Sequence, residues 1–401
     1  MASKSPKDIM CDLNILYKAY LSSLKGSKWK QSSQNFQLNF LENLIDLKTD
    51  LENQTLRNGH QTEFLLSERG NIRAITSIPI RDRIVRHALC DYILYPEIKK
   101  RIIYDNGASI KGRGLSFQRK RFEVHLRKFY QKHSNNGYIL FGDFSKFYDN
   151  IHHDIAKQQF LDLYNNDTYL SWLLDLIFEG FEVDVSYMSD AAYSKCMIET
   201  FNRLSYRNDI SDHLKTGEKM MKKSVNIGDQ LSQLIGIYYP NEIDTYVKYV
   251  RHIKNYARYM DDWYLFSENR DELLSVLNGV SNICYKLGIK INNKKTRIVR
   301  MDSVYKFLQV KYHLTYDGVI IKRVNPKRLS AMRTKLRKMK RKVESGERRY
   351  EIVEEMFMSW IGNYFSIMSR KQRESMFKLY ENLFNKRIVV KHKRIYKIKE
   401  V

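Results

Sequence analysis

Three aspartates in this 401-residue sequence have the setting that a metal-dependent reaction requires. The motif Tyr259-Met260-Asp261-Asp262 lies between two apolar, strand-like runs, and Asp143 ends another such run, Ile139-Leu140-Phe141-Gly142. Two adjacent carboxylates at a hairpin tip repel each other unless a cation offsets the repulsion. Aspartates delivered by two strands to one edge of a sheet therefore predict a pair of Mg²⁺ ions, as used for in-line phosphoryl transfer.

Each acidic group has a simpler interpretation when it is considered alone. An Asp-Asp pair is usually a solvated turn, and Asp143 by itself would be read as a helix N-cap. Their separation, 261 − 143 = 118 residues, leaves room for crossover helices between the two strands. The joint pattern favours the metal site, because further motifs accompany it in order.

The surrounding pattern of apolar residues predicts the elements that must position these aspartates. Helical spacing is present from about residue 9 to 56 and again from Asp82 onward. The segment 162–224 is helical at first and then polar. Extended segments are predicted at 72–80 and 138–143, and a strand, turn and strand at 255–267.

The charge of the chain indicates a polyanionic partner. It has 70 Lys and Arg against 45 Asp and Glu, a net charge of +25. That excess favours nucleic acid or an anionic membrane. No stretch approaches the roughly 18 apolar residues that span a bilayer, and the N-terminus lacks an apolar signal core, so a cytoplasmic protein is expected. The four cysteines lie far apart, which excludes a disulfide framework or zinc knuckle.

The strongest cationic segment is residues 322–342, with eleven Lys and Arg and no acid. Its apolar residues recur at spacings of three and four, which predicts a helix with one packed stripe and cationic remaining faces. A merely solvated charged helix is less plausible for a run of one sign. The tail 386–399 is again basic and is predicted as a strand or an RNA-gripping arm. The stripe consists of Leu329, Met332, Leu336, Met339 and Val343.

Six segments, taken together, resemble the reverse transcriptases of prokaryotic retroelements, which include group II intron, retron, diversity-generating and phage-defence enzymes. The resemblance covers about residues 9–308. The segments are the fingers pattern Ile78-Pro79-Ile80-Arg81-Asp82-Arg83-Ile84-Val85-Arg86-His87-Ala88-Leu89, the first palm motif Asp143-Phe144-Ser145-Lys146-Phe147-Tyr148-Asp149-Asn150-Ile151, the template–nucleotide helix motif Val225-Asn226-Ile227-Gly228-Asp229-Gln230-Leu231-Ser232-Gln233, the YxDD box Tyr259-Met260-Asp261-Asp262, and two later palm motifs, Lys294-Lys295-Thr296 and Tyr305-Lys306-Phe307-Leu308.

This resemblance implies an α+β right-hand polymerase with fingers, a palm containing an antiparallel sheet and a helical thumb. The implied domains are N-terminal helices and fingers over 1–135, a palm over 136–312 with a helical insertion at about 162–224, and a basic helical thumb with a tail over 313–401. The implied activity is RNA-directed DNA polymerisation, a nucleotidyl transfer that uses two Mg²⁺ ions, with Mn²⁺ as a substitute.

The resemblance also implies roles for individual residues. Asp143 and Asp261 are the expected catalytic metal ligands, joined by the Phe144 backbone carbonyl and more loosely by Asp262. Arg73 is expected to hold the triphosphate, since its planar fork of donors suits phosphate. The expected nucleic-acid contacts are Lys111, Arg113, Gln233, Lys327, Arg328, Arg333, Arg337, Lys338 and Arg341.

Three further residues are expected at the nucleotide, and two of them have a simpler alternative role. Tyr148 lies five residues after Asp143, where a bulky ring collides with a ribose 2′-hydroxyl; the alternative is a core tyrosine. Gly228 would let the backbone approach the base pair closely. Lys295 would lie near the leaving phosphate, and its alternative is a surface charge. Lys111 and Arg113 are equally well explained as a solvated loop.

Two departures from the family pattern bear on the biological role. Ile227 stands before the motif glycine where many relatives have Gln, and the motif ends in Ser232-Gln233, which is similar to diversity-generating enzymes. Gln309 replaces the usual glycine after Phe307-Leu308.

The expected partners are an RNA template and nascent DNA, a dedicated non-coding RNA, and an accessory protein or second polymerase subunit, without a membrane. The leading hypothesis is a reverse transcriptase that copies a structured RNA in anti-phage defence. The alternatives are a diversity-generating reverse transcriptase, an RNA-directed RNA polymerase, against which Tyr148 argues, and a non-catalytic RNA-binding scaffold with a polymerase fold.

Overall fold

The computed structural model describes residues 4–68, 71–204, 210–391 and 394–400. Helices and strands are mixed along this part of the chain. The helices are Pro6–Met10, Leu13–Ser23, Gln31–Leu38, Phe40–Glu52, Ile80–Ala88, Leu89–Leu94, Tyr95–Arg101, Leu115–His133, Phe147–Asn150, His153–Leu161, Asp162–Tyr164, Thr168–Glu179, Asp190–Ile198, Asp212–Leu214, Gln230–Tyr238, Asn241–Thr245, Tyr246–Val250, Arg270–Lys286, Pro326–Glu344, Tyr350–Tyr364 and Arg370–Phe384. The helices predicted within 9–56 and from Asp82 onward are confirmed.

Four strands form the central sheet, in the spatial order Tyr256–Tyr259, Asp262–Ser267, Tyr138–Asp143 and Arg297–Arg300. The first two are an antiparallel hairpin in which Tyr259 pairs with Asp262. The strands predicted at 138–143 and 255–267 are therefore confirmed. The hairpin brings its turn next to the strand that ends in Asp143, which is the geometry the metal-site hypothesis requires.

Close packing at the centre of this sheet depends on a glycine. A Cβ on Gly142 would lie 2.1 Å from the ring of Trp263, the largest fully buried side chain of the described chain. No side chain other than hydrogen fits at that distance. Gly142 thereby allows the indole to lie directly against the strand that ends in Asp143.

The chain divides into two compact units. The first comprises Met1–Gly112, Leu140–Leu265 and Arg270–Arg297. It contains the N-terminal helices and the antiparallel hairpin Thr62–Glu68 with Asn71–Ser77. It also contains the small pair Val183–Asp184 with Met220–Met221. The extended segment predicted at 72–80 is a strand up to Ser77, and the next helix begins at Ile80 because Pro79 occupies its N-cap position.

The second unit comprises Arg113–Ile139, Phe266–Asn269 and Ile298–Val401. Its described residues include a three-stranded antiparallel sheet, four long helices and a C-terminal hairpin. Leu329, Met332 and Leu336 are buried in its core, and Met339 and Val343 are partly buried against that core, so the predicted apolar stripe is confirmed. The strands are Val304–Phe307, Val310–Leu314, Ile320–Val324, Lys386–Lys391 and Arg394–Glu400.

The turn after Phe307 uses Leu308 and Gln309, whose φ angles are +42° and +70°. Two left-handed residues suit a two-residue hairpin turn, although side chains other than glycine are strained there. The Arg119 guanidinium donates to the Leu308 carbonyl at 2.9 and 3.2 Å, and the Tyr364 hydroxyl donates to Gln309 Oε1 at 2.6 Å. These contacts offset the strain of the two left-handed residues.

Among the described residues, none of the helices has the length and apolar character needed to cross a bilayer.

Candidate active site

Asp143 and Asp261 meet at one end of the central sheet. Asp143 is the last residue of its strand, and Asp261 lies in the turn of the neighbouring hairpin. The Phe144 amide donates to the Asp261 carbonyl at 3.2 Å. Met260 adopts a φ of +57°, as the tight turn demands. The structure thus brings together two aspartates that lie 118 residues apart in the sequence.

The Asp143 carboxylate is buried and held by two partners. Lys295 Nζ donates to its Oδ2 at 2.8 Å, and Asn292 Nδ2 donates to its Oδ1 at 2.8 Å. The Asn292 amide also donates to the Asp143 carbonyl at 2.8 Å. This loop therefore orients the carboxylate from both sides. The sequence did not single out Asn292, although it lies two residues before Lys294, the first residue of the Lys-Lys-Thr motif.

Burial raises the pKa of Asp261, and the neighbouring Asp143 carboxylate raises it further. Asp262 is the first residue of its strand and is half-buried. Within the ranges that the structure describes, no three His, Cys, Asp or Glu side chains are grouped closely enough to hold a metal by themselves. Two converging carboxylates nevertheless fit Mg²⁺, which commonly takes one or two carboxylates and completes its shell with water and substrate phosphates.

An open cavity of about 570 Å³ adjoins the two aspartates. It is large enough for a nucleotide-sized ligand. Its lining mixes carboxylates, cations and three aromatic residues, and it includes three of the four residues predicted to contact the nucleotide. The lining residues relevant here are Arg73, Asp143, Phe144, Tyr148, Asn202, Arg203, Ile227, Asp261 and Lys295.

Tyr148 forms part of this wall next to the hairpin turn. Its hydroxyl lies 3.7 Å from Met260 Sδ, and its carbonyl accepts from the Val225 amide at 3.0 Å. Burial raises the pKa of Tyr148 to about 12, with a further contribution from Asp261. The phenol therefore stays neutral across the physiological range.

The template–nucleotide motif is tied to the hairpin strand that carries Arg73. The Thr76 amide donates to the Ile227 carbonyl at 3.0 Å. Gly228 has a φ of +115°, and a Cβ there would lie 2.9 Å from the Thr76 carbonyl oxygen. Gly228 is thus required for a close backbone approach, here to the protein's own strand.

Two buried ion pairs support the site, and the sequence analysis did not identify either. Arg86 Nε donates to Asp229 at 3.0 Å, and Asp229 also accepts from the Leu231 amide at 2.7 Å, so it caps the helix Gln230–Tyr238. An Asp directly before a helix was the available local signal. Nothing local identifies its partner, which lies 143 residues away.

The second pair joins Arg258 to Asp244, and both side chains are fully buried. Arg258 Nη2 lies 2.7 Å from Asp244 Oδ2, and Arg258 Nε lies 2.8 Å from Asp244 Oδ1. The Tyr256 hydroxyl donates to the same carboxylate at 2.6 Å. Arg258 Nη1 also donates to the Met260 carbonyl at 3.2 Å, so this pair anchors the turn that carries Asp261.

The remaining predicted nucleic-acid contacts lie outside the cavity lining in the described chain. Lys111 and Gln233 are exposed in the first unit. In the second unit, Arg113 lies over the Phe117 ring, with 5.2 Å from its Cζ to the ring centroid. The other six are on Pro326–Glu344, where they are exposed or half-buried and form no salt bridge with any described residue: Lys327, Arg328, Arg333, Arg337, Lys338 and Arg341.

The model of the family described as reverse transcriptase (RNA-dependent DNA polymerase) matches residues 61–321. That is more than half of the chain, and it includes Asp143, Asp261 and the cavity. The chain therefore belongs to the reverse transcriptase family. The predicted right-hand polymerase fold is confirmed.

Two solved structures are similar to this chain at low identity. Apo telomerase from Candida Tropicalis, truncated from its C-terminal domain, is 15% identical with a TM-score of 0.40, covering 69% of this chain and 59% of that one. Telomerase from Candida albicans, in complex with a TWJ fragment of telomeric RNA, is 12% identical with a TM-score of 0.41, covering 80% and 61%. The chain thus spans about three fifths of each structure's length. No curated protein matches the sequence.

Proposed function

We propose that this chain is an active RNA-directed DNA polymerase that copies an RNA template into DNA. The observation that carries the proposal is the convergence of Asp143 and Asp261 at the open cavity. Family membership supports the same reaction. A cavity wall that offers carboxylates for a metal and cations for a triphosphate suits nucleotidyl transfer.

In this proposal Asp143 and Asp261 hold Mg²⁺, together with the Phe144 carbonyl and, more loosely, Asp262. The bound metal would supply Lewis-acid stabilisation of charge on the transferred phosphoryl group. The Phe144 amide donates to the Asp261 carbonyl, so the backbone segments that carry the two aspartates are held next to each other. Asn292 acts as a positioning residue, since it fixes both the carboxylate and the carbonyl of Asp143.

The cationic and aromatic residues of the wall bind the nucleotide. Arg73 holds the triphosphate, and Lys295 neutralises the leaving phosphate after exchanging its contact with Asp143 for the substrate. Tyr148 excludes a 2′-hydroxyl from the sugar position, and Gly228 maintains the close approach of the template motif to the fingers strand. The ranges 1–135, 136–312 and 313–401 serve as fingers, palm and thumb.

The test is primer extension on an RNA template by the full chain, with dNTPs and rNTPs supplied separately. The proposal expects Mg²⁺-dependent extension with dNTPs, a much smaller rate with rNTPs, and no extension by Asp261→Ala. Equal use of rNTPs would identify an RNA-directed RNA polymerase instead. Complete absence of extension, with RNA binding retained, would identify a non-catalytic scaffold.

For the biological role, we propose a retroelement-type enzyme that copies a dedicated structured RNA in anti-phage defence, together with an accessory protein or second polymerase subunit. The support is the resemblance of its six motifs to prokaryotic retroelement enzymes. Sequencing the RNA that co-purifies with the chain tests this directly. One abundant structured RNA is expected, and a random RNA population would overturn the proposal.

A second candidate, a diversity-generating enzyme, is favoured by one specific feature. Ile227 precedes the motif glycine, and Ser232-Gln233 ends the motif, as in that group. Relaxed fidelity is the distinguishing property of that group. Misincorporation by the full chain on a defined RNA template would therefore separate the two roles, with frequent errors at one template base expected for the second candidate alone.

A further inference from the structure

Gly236 lies in the last turn of the helix Gln230–Tyr238, next to Tyr148, which lines the cavity. A Cβ at this position would lie 2.6 Å from the Tyr148 hydroxyl oxygen and 3.2 Å from Tyr148 Cζ. It would also lie 3.0 Å from Met260 Sδ. Glycine is less favourable than alanine inside a helix. Its presence here is therefore explained by the space that Tyr148 occupies.

The backbone on the Gly236 side of this contact is held in place. Arg258 Nη1 donates to the Gly236 carbonyl at 3.2 Å, and Arg258 Nη2 donates to the Ile237 carbonyl at 2.6 Å. The same guanidinium holds the Met260 carbonyl and is itself paired with Asp244. All of these groups belong to the buried network that anchors the hairpin turn. An added methyl group on Gly236 therefore has no simple way to displace its own helix.

The Tyr148 ring is the part of this contact that borders open space. It lines the cavity next to Asp261, whereas its backbone carbonyl is held by the Val225 amide. A methyl group pressing on the hydroxyl from the helix side would therefore move the ring toward the cavity. The depth of the cavity at the sugar position thus depends on the absence of a side chain at residue 236.

We propose that Gly236 is a positioning residue that sets the depth of Tyr148 and thereby the sugar selectivity of nucleotide incorporation. This inference rests on the proposed polymerase function and on the role of Tyr148 at the sugar. Gly236 itself contacts no substrate. Its effect passes mainly through the shortest contact that an added Cβ would make, the one with the Tyr148 hydroxyl, and that contact can be removed independently.

The experiment measures kcat and KM for one dNTP and its rNTP with the full chain on a fixed RNA template. Gly236→Ala is expected to raise the KM for the dNTP about tenfold, with kcat changed less than about threefold, because the intruding ring weakens nucleotide binding. The larger ribonucleotide is expected to lose more, so the preference for the dNTP rises. Gly362→Ala is the matched control, since a Cβ there meets nothing within 4 Å in another helix.

The second arm repeats the change in a Tyr148→Phe background, which lacks the oxygen atom closest to the new methyl group. In that background, Gly236→Ala is expected to change the KM for the dNTP by less than about threefold. Such non-additivity of the two substitutions is the behaviour of two residues that interact. An equal effect of Gly236→Ala in both backgrounds, or no effect in either, would overturn the proposal. A wild-type chain that extends no primer would instead refute the polymerase function.

Discussion

The aspartate centre, formed by Asp143 and Asp261 with Lys295 and Asn292, and the basic helix Pro326–Glu344 show two ways in which one chain arranges its charges. At the centre, a few charges are buried and each has defined partners, as in the contacts of Asp143 with Lys295 and Asn292. On the helix, the many cations face solvent, and only the apolar stripe is packed. The effect of a buried charge depends on the positions of its hydrogen-bond partners, whereas the effect of exposed charges depends on how many of them there are.

This difference sets the expected size of mutational effects. A buried, hydrogen-bonded charge that loses its partner is left uncompensated, which is costly. A solvent-exposed cation is screened by salt, and neighbouring cations make the same kind of electrostatic contribution. Single substitutions at the centre should therefore have large and specific effects, and those on the helix should have small, additive and salt-dependent ones.

The largest effect is expected at Asp143. Asp143→Ala should reduce nucleotide incorporation by about a thousandfold or more, because it removes a proposed metal ligand. Affinity for an RNA–DNA duplex, measured by fluorescence anisotropy, should stay within about twofold, since the exposed cations are untouched. Full incorporation by this variant would show that nucleotide incorporation does not require Asp143.

The next effect concerns stability at the buried network. Arg258→Met should lower the free energy of unfolding by about 3–5 kcal/mol, because it leaves Asp244 buried without its cation. Urea denaturation followed by circular dichroism measures the change. Arg370→Met is the control, since Arg370 and Glu374 form an exposed pair, and no measurable change is expected there. Equal effects of the two substitutions would show that burial does not separate these ion pairs.

A smaller, pH-dependent effect is expected at His153, a buried residue whose Nε2 lies 2.5 Å from the Ser224 carbonyl oxygen. Burial lowers the pKa of His153 from 6.5 to about 4. Between these values the unfolded chain binds a proton that the folded chain does not, so stability falls as the pH decreases, by about 1.4 kcal/mol per pH unit.

His153→Gln should reduce the slope of the free energy of unfolding against pH by about 1.4 kcal/mol per pH unit, because glutamine does not titrate. Glutamine can still donate to the Ser224 carbonyl. The measurement is the free energy of unfolding at several pH values between about 4 and 6.5. An identical pH slope in the variant would show that His153 is protonated in the folded chain.

The smallest effect is expected on the basic helix. Arg337→Gln should weaken duplex binding by a few fold and reduce the steepness of the logarithmic dependence of affinity on salt by about one. Titrations at several salt concentrations measure both quantities. Lys18→Gln, an exposed change on the helix Leu13–Ser23, should leave the salt dependence unaltered. A large, salt-independent loss at Arg337 would place that residue with the geometrically defined contacts instead.

Local patterns predicted the elements well because each pattern is a property of consecutive residues. The apolar run that ends at Asp143 is a strand with the predicted bounds, and the stripe that begins at Leu329 is the packed face of a helix. The YxDD doublet lies at a hairpin turn, as two flanking apolar runs require. Periodicity and turn chemistry are sufficient for such predictions.

The pairings that support the site were not predicted, because the two members of each pair are distant in sequence. Arg86 and Asp229 lie 143 residues apart, and Lys295 and Asp143 lie 152 apart. An arginine within an apolar strand, such as Arg258, carries no sign of which carboxylate will neutralise it. Only burial next to a particular partner makes such a charge tolerable.

The sequence by itself determined the strongly cationic character of the chain, the order of its motifs and the local elements on which its aspartates lie. Net charge depends only on which residues are present, and periodicity depends only on their order. Both can therefore be determined without knowledge of the fold. The tertiary structure alone decided that Gly236 lies against Tyr148 and that Arg258 secures the turn before Asp261. Contacts of this kind depend on ångström-scale distances between remote segments, and close packing allows only one arrangement of them.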